Sequence, residues 1–442
     1  MKTKNILFAY HRLDILGGIE TRWIDEFKYL QKNSFKVHVA VPKVSYKAHI
    51  GKTLSPDNII LIDSNKIERA VNFLALVHEI TQAIKLYKID IISVHMQDLF
   101  ALAAVIAAQR CKIPVISTIH GTPDIYRIPL HRLLIQNLAS KSYSLAITVS
   151  GAFRYLLPQN DLKKHTIPNL IDFNKFNDNE YIPDYNKWLL VSRISPEKYP
   201  SIIRFIEAAS ISGISEIDIA GGGISKDLKH TVNKLDLNVK VNFLGEIKEV
   251  YSHIPKYYGV AGMGRAAIEG LACKRPVCIV SIDGSLIGLA TESNLETLIE
   301  FNFTGRGLVP ISNEHFQKQL KAYKKHDSEL IHSKLIESLD IENWNKYIKL
   351  YDDLNFIENS ALEALYHKIC YFANTLRKPF FEDELFQHLF YETLIEYKMN
   401  DIKELWDYYE DSIGLSFEYP MPFSTNKKKR KRMLNKKKIL FW

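Results

Sequence analysis

Cysteine is scarce in this 442-residue chain. Cys111, Cys273, Cys278 and Cys370 form no CxxC pair, and none stands with histidine at metal-ligand spacing. This argues against a disulfide-built scaffold and a zinc-ribbon site, and the four thiols read as reduced core residues of a cytosolic protein. Long apolar runs are missing too. No window approaches the 18 or more uncharged apolar residues of a helical membrane span. The most apolar helical stretch, Ala70–Leu86, carries Glu79 and Lys85 and has the period of a core helix. The opening MKTKNILFAYHRLD turns apolar only briefly before His11, Arg12 and Asp14, which suits a first β-strand better than a signal peptide. The dinucleotide fingerprint GxGxxG is absent after that strand, which counts against an NAD enzyme. Net charge is nearly absent from the body. The formal charge is +8, but residues 427–438 hold nine Lys and Arg, leaving −1 for the rest.

What is present is the balance of a globular chain, 46% apolar and 24% charged, long enough for two domains and an appendage. Strand candidates at 5–10, 37–41, 59–62, 89–94, 115–119 and 145–149 alternate with helix candidates at 19–31, 67–86, 99–110, 131–140 and 151–157. Strands apolar at most positions belong to a parallel sheet buried on both faces, so a doubly wound α/β domain is expected over residues 1–175. The polar, aperiodic stretch 174–187 marks a boundary. The alternation then restarts, with strands at 188–192, 217–220, 239–243, 258–260 and 276–280 and helices at 200–209, 225–235 and 265–272, giving a second Rossmann-like domain at 186–340. Past about residue 353 aromatic-rich helical segments form an extension, 355–425, followed by the basic tail, 426–442.

Ligands of open parallel sheets bind beyond the carboxyl ends of the strands. After the first strand come Gly17 and Gly18, where the backbone approaches a ligand closely and a helix N-terminus follows; such a turn is as often purely structural. His120 and Gly121 end the strand at 115–119, where local packing is the plainer reading. Arg193 ends the first strand of the second domain and Lys198 follows, two cations suited to clamping a diphosphate, although each taken singly is a common surface residue. Gly221-Gly222-Gly223 follows the next strand. Gly264 and Arg265 open a helix carrying Glu269 among Ala266, Ala267, Ile268 and Leu271, apolar company that points to a buried or cleft-facing carboxylate.

Taken in order, GGIET (17–21), STIHG (117–121), AITVS (146–150), IPNLIDFNKF (167–176), VSRISPEKYP (191–200), AGGG (220–223) and GMGRAAIEGLACKRPV (262–277) make residues 6–354 similar to the two-domain (GT-B) glycosyltransferases, family 4 of the retaining enzymes in particular. The resemblance implies that Gly17 and Gly18 approach the donor phosphates or the acceptor, and that His120 lies beside the donor sugar. It implies that Arg193 and Lys198 hold the diphosphate, Glu269 the ribose hydroxyls, and Gly222, Gly264 and Arg265 the donor loops. It also implies a helix at 341–354 crossing back to the first domain. No metal and no cofactor beyond the nucleotide-sugar co-substrate is expected. One position departs: Ala261 stands where the family has the first carboxylate of a Glu-x7-Glu pair, and Arg265 or the loop N–H groups are the expected substitutes.

The resulting expectation is sugar transfer with retention to a glycan or lipid-linked acceptor, in bacterial surface polysaccharide or lipopolysaccharide synthesis. The protein is expected in the cytoplasm or peripheral on the inner face of the plasma membrane. A non-catalytic subunit of a glycan-assembly complex and a sugar-nucleotide epimerase are the alternatives. For the tail, docking on anionic lipid at ~1 kcal/mol per cation, a solvated segment and nucleic-acid binding all stay open; the nearly neutral body is expected to bind no nucleic acid.

Overall fold

The computed structural model describes residues 3–14, 17–47, 54–63, 70–95, 98–120, 138–151, 162–176, 184–223, 226–235, 237–247, 249–281 and 283–376. The apolar runs become β1 (Asn5–Ala9), β2 (Lys36–Pro42), β3 (Ile59–Ile62), β4 (Ile91–Val94), β5 (Val115–Ile119), β6 (Tyr143–Thr148) and β7 (Lys164–Thr166). They pair in the order β3-β2-β1-β4-β5-β6-β7, parallel throughout. Helices α1 (Gly18–Lys32), α2 (Ala70–Leu86) and α3 (Leu99–Cys111) lie in the connections. α1 buries Trp23, Phe27 and Leu30 against Phe8 and Val39, and Asp98 starts α3 by accepting the Ala101 N–H at 2.9 Å. The expected helices at 131–140 and 151–157 lie largely outside the described residues.

A second sheet contains β8 (Asp184–Val191), β9 (Glu216–Ala220), β10 (Lys240–Gly245), β11 (Tyr257–Gly262), β12 (Val277–Val280) and β13 (Leu286–Leu289). Its order is β10-β9-β8-β11-β12-β13, with only β13 antiparallel to its neighbour among the described strands. Along with it come α4 (Tyr199–Ser212), α5 (Lys226–Lys234), α6 (Arg265–Ala272), α7 (Leu295–Glu300), α8 (Asn313–Ala322) and α9 (Lys325–Leu339). Successive residues of β8 enter opposite cores: Trp188 joins Phe205 and Phe316, while Leu189 joins Val260, Leu271 and Leu335. The strand begins earlier than its polar sequence suggests. Asp184 and Lys187 pair with Tyr257 and Glu216, and Lys187 is fastened by Glu216 at 3.2 Å and Asp218 at 3.0 Å. Part of the expected linker is therefore strand, and residues 177–183 lie outside the described ones.

The phrase IPNLIDFNKF joins the two halves. Ile167 and Leu170 pack into the first core, Ile171 and Phe176 into the second. The Ile171 backbone pairs with the chain returning from α9, its N–H reaching Leu339 O at 2.9 Å and its carbonyl accepting from Ile341 N at 2.8 Å. Asn169 Nδ2 donates to Asn302 Oδ1 at 2.8 Å, and Ser150 Oγ to the Glu300 carbonyl.

The returning segment is a correction to the expected helix at 341–354. It consists of two 3-10 stretches, Ile341–Lys346 and Ile348–Tyr351. With three residues per turn, positions i and i+3 share a face, which brings Trp344 and Tyr347 edge to face at 6.2 Å. Trp344 lies 4.9 Å from the Arg22 guanidinium and Tyr351 donates to Glu26, all four buried on the first core. Beyond it α10 (Ser360–Leu376) packs on α2 and α3, anchored by Asn359 Nδ2 to Leu138 O at 2.8 Å and to Ser142 Oγ at 3.0 Å. The rest of the extension and the tail lie outside the described residues; no described helix is long and apolar enough to cross a membrane.

Tyr351→Phe strips the fully buried Glu26 carboxylate of its hydroxyl donor, so it is expected to cost about 1–3 kcal/mol in urea unfolding, with near-native circular dichroism. An unchanged midpoint would show that the contact contributes nothing.

Candidate active site

In each sheet the chain departs in opposite directions from one central strand, leaving a crevice at the carboxyl ends: between β1 and β4 in the first half, between β8 and β11 in the second. His95 follows β4 and His120 follows β5. His95 Nδ1 and His120 Nε2 are 3.0 Å apart, and His95 Nε2 is 3.2 Å from Ser93 Oγ. The His95 ring stacks on Phe8 at 4.9 Å. Burial, then His120 and the Arg22 charge, hold His95 well below the usual histidine range; burial and Arg22 do the same to His120. Both rings are therefore neutral near pH 7. On the loop after β1, His11 Nδ1 lies 3.1 Å from Asp98 Oδ2.

Gly17 is the N-cap of α1. Its N–H is held by Glu20 Oε2 at 2.9 Å, and Glu20 Oε1 accepts the Tyr10 hydroxyl at 2.6 Å. That amide is already engaged within the first half. Gly18 faces the second half: a Cβ there would stand 3.7 Å from the Arg265 Cβ.

At the second crevice lies a small cleft, with a cavity volume of about 20 Å³, between Ser192, Ser201, Ala261, Gly262 and Met263 and the apolar side chains of Ile202 and Phe205. Lys198 Nζ lies 3.1 Å from Met263 Sδ, at the edge of this cleft. Arg193 points outward, its side chain 71% exposed and 4.0 Å from Glu197. The Ser195 hydroxyl on Glu197 at 2.5 Å is the main cause that holds that carboxyl below its ordinary range, against the effect of burial. The glycine triplet after β9 is a buttress for this strand end. At Gly221, φ is +159° and a Cβ would fall 1.8 Å from Ser192 O. Gly222 accepts the Ile194 N–H at 2.8 Å and has room for a side chain, so the steric demand lies on its neighbours.

Gly264, at φ +58° and ψ −130°, turns β11 into α6 and donates its N–H to Phe303 O at 3.0 Å. Arg265 opens the helix. Its Nε donates to Glu269 Oε1 at 2.9 Å and its Nη2 to Asp25 Oδ2 on α1 at 2.7 Å. Lys175 approaches Asp25 at 3.4 Å. Burial pushes the Glu269 carboxyl up, opposed by Arg265. Burial works against the Arg265 charge, but Asp25 and Glu269 together hold its pKa above the usual arginine value.

Residues 16–175 match the family model for Glycosyltransferase Family 4. A glycosyltransferase structure from Rickettsia africae ESF-5 superposes with a TM-score of 0.57 at 19% identity, over 79% of this chain and 98% of that one. A TarM variant from S. aureus, solved with fondaparinux, α-GlcNAc-glycerol and UDP, superposes at 0.60 with 14% identity, over 79% of this chain and 100% of its own. The family match covers the first sheet's part of the chain, and the two-sheet architecture is the GT-B fold. A putative UDP-N-acetylglucosamine 2-epimerase from Listeria monocytogenes also shares the fold, with a TM-score of 0.53 at 12% identity over 81% of this chain and 99% of its own. No curated protein matches the sequence significantly.

Of the residues marked by the sequence, Gly18, Arg265 and Glu269 lie together at the meeting of the two halves, and Lys198 lies beside Met263; Arg193 is turned to solvent. Asp25, His11, His95 and Asp98 were not marked by the motifs. His95 had a signal, since it follows a buried strand just as His120 does. Asp25 had none, because an acid on an amphipathic helix ordinarily faces water.

The unfolded chain takes up histidine protons below about pH 6.5, whereas native His95 does not. The unfolded state then binds more protons, so this contribution is full above that pH and is lost as pH falls towards the depressed native value. His95→Asn is expected to lose unfolding free energy less steeply than the parent between about pH 6.5 and 5. Parallel urea-unfolding curves across that window would contradict a buried neutral ring.

Proposed function

We propose that this protein is a glycosyltransferase that moves a sugar, with retention of configuration, from a nucleotide-sugar to a glycan or lipid-linked acceptor in bacterial surface polysaccharide or lipopolysaccharide synthesis. The observation carrying the reading is that Gly18 of the first half stands against Arg265 of the second, so both strand-end crevices open towards one gap. In that gap Glu269 accepts the ribose hydroxyls, a task for an ionised carboxylate. Gly17, Gly18, Gly222, Gly264 and Arg265 shape the donor loops, and His120, as a neutral ring, hydrogen-bonds the donor sugar. The anomeric C–O bond breaks with its electron pair leaving on the diphosphate, where Lys198, and Arg193 once swung inward, receive the charge. The acceptor oxygen forms the new bond on the same face, and its hydroxyl proton passes to the departing diphosphate oxygen. The work is positioning and charge stabilisation, without metal or further cofactor.

Ala261 is buried against this cleft, so sugar hydroxyls are met by Arg265 and backbone N–H groups rather than by a carboxylate. UDP in the TarM complex makes it the first nucleotide to try. The basic tail, with Phe441 and Trp442 at its end, is read as a docking element for anionic membrane on the cytoplasmic side, near a lipid-carried acceptor.

Arg193→Ala and Lys198→Ala are each expected to lower kcat by about 100-fold or more while the melting temperature stays put, once a thermal-shift screen of UDP, GDP, CMP and their sugar conjugates has identified the donor. Full turnover in both variants would sink the assignment. Product formation without acceptor would instead mark an epimerase, and nucleotide binding with no transfer a non-catalytic subunit.

A further inference from the structure

We propose that Asp25 is a positioning residue that makes recognition of the donor's ribose conditional on closure of the two halves. The inference rests on the reading of Glu269 as the ribose carboxylate. Asp25 belongs to α1 of the first half, yet it is spent on the second: its partners are Arg265 on α6 and, in the junction, Lys175. The side chains are well shielded, with Asp25 6%, Arg265 10% and Glu269 13% exposed. A guanidinium is a rigid planar fork. With Nη2 held by Asp25, the plane of Arg265 is set, and Nε in turn fixes Glu269 Oε1. Glu269 Oε2 is the oxygen that Arg265 does not hold, and it is left to meet a ligand.

A second observation points to a ligand in the same place. Arg265 Nη1 is buried and has no acceptor among the described residues. An unmatched buried donor is costly, and this one belongs to the residue whose Cβ faces Gly18, where the two halves meet. A bound phosphate or hydroxyl oxygen would satisfy it. Stability alone is a poor explanation for the cluster, because removing several charges from water offsets most of their attraction. Orientation is the better one. When the halves part, Arg265 loses Asp25, its plane is released, and Glu269 loses its fixed direction. Closure and nucleotide binding then favour each other by the same factor.

The test uses the full-length protein and its Asp25→Asn and Asp25→Glu variants. Small-angle X-ray scattering without ligand is expected to show a larger radius of gyration for Asp25→Asn than for the parent, with Asp25→Glu in between. In calorimetric titrations with UDP and GDP, whichever binds the parent is expected to bind Asp25→Asn ~10-fold more weakly, with affinity partly restored in Asp25→Glu. For the identified donor, KM should rise in Asp25→Asn more than kcat falls. Identical scattering of parent and Asp25→Asn overturns the latch, whatever the nucleotides do. Expanded scattering with unchanged nucleotide affinity overturns the link to Glu269. If neither nucleotide binds the parent, the donor-site reading and the link to ribose fail together, and scattering still decides whether Asp25 holds the halves closed.

Discussion

Parallel pairing of strands buried on both faces is the constraint from which the rest follows. When neighbours run the same way, every carboxyl end emerges on one edge, and the chain returns over a face through a helix. β1, β4 and β5 thus deliver Tyr10, His95 and His120 to a single rim, and β8 and β11 deliver Ser192, Gly262 and Met263 to another. The helices that cover the faces start at those same rims, which is why Gly17 and Gly264, the caps of α1 and α6, stand beside the crevices.

The two halves are held together in two chemically different ways. On the junction side the contact is apolar and covalent. The segment 167–176 drives Ile167 and Leu170 into one core and Ile171 and Phe176 into the other, while the return from α9 runs beside it and lays Trp344 and Tyr351 on the first core. On the cleft side lie Asp25, Arg265 and Glu269, joined by Lys175 from the junction, a polar group whose members are each readily hydrated when separated. A packed joint on one side and a water-compatible contact on the other is the arrangement expected of halves that open about a hinge.

Ala261 is a core residue. Its methyl group is buried with Trp188, Leu190, Cys278 and Val280, near the end of the strand that leads into the turn at Gly264.

Most of the sheet architecture could be read from the sequence, because a buried strand advertises itself by apolar residues at nearly every position. β7 could not: Lys164, His165 and Thr166 form a short edge strand with no apolar run. Nor could the return segment, whose 3-10 turns carry aromatic spacing that resembles an α-helix. For the site, the glycine turns and Glu269 among alanines were legible because their demands are local, such as a backbone that must pass within contact of Ser192 O or a helix that must start. What lay beyond the sequence was which charges meet. Asp25 and Arg265 are 240 residues apart, and on their own helices each reads as a solvated side chain. Only when α1 of the first half meets α6 of the second does that pair acquire a direction and a consequence. Local patterning of apolar residues determined the two domains, and the tertiary contact between them decided what their charged side chains do.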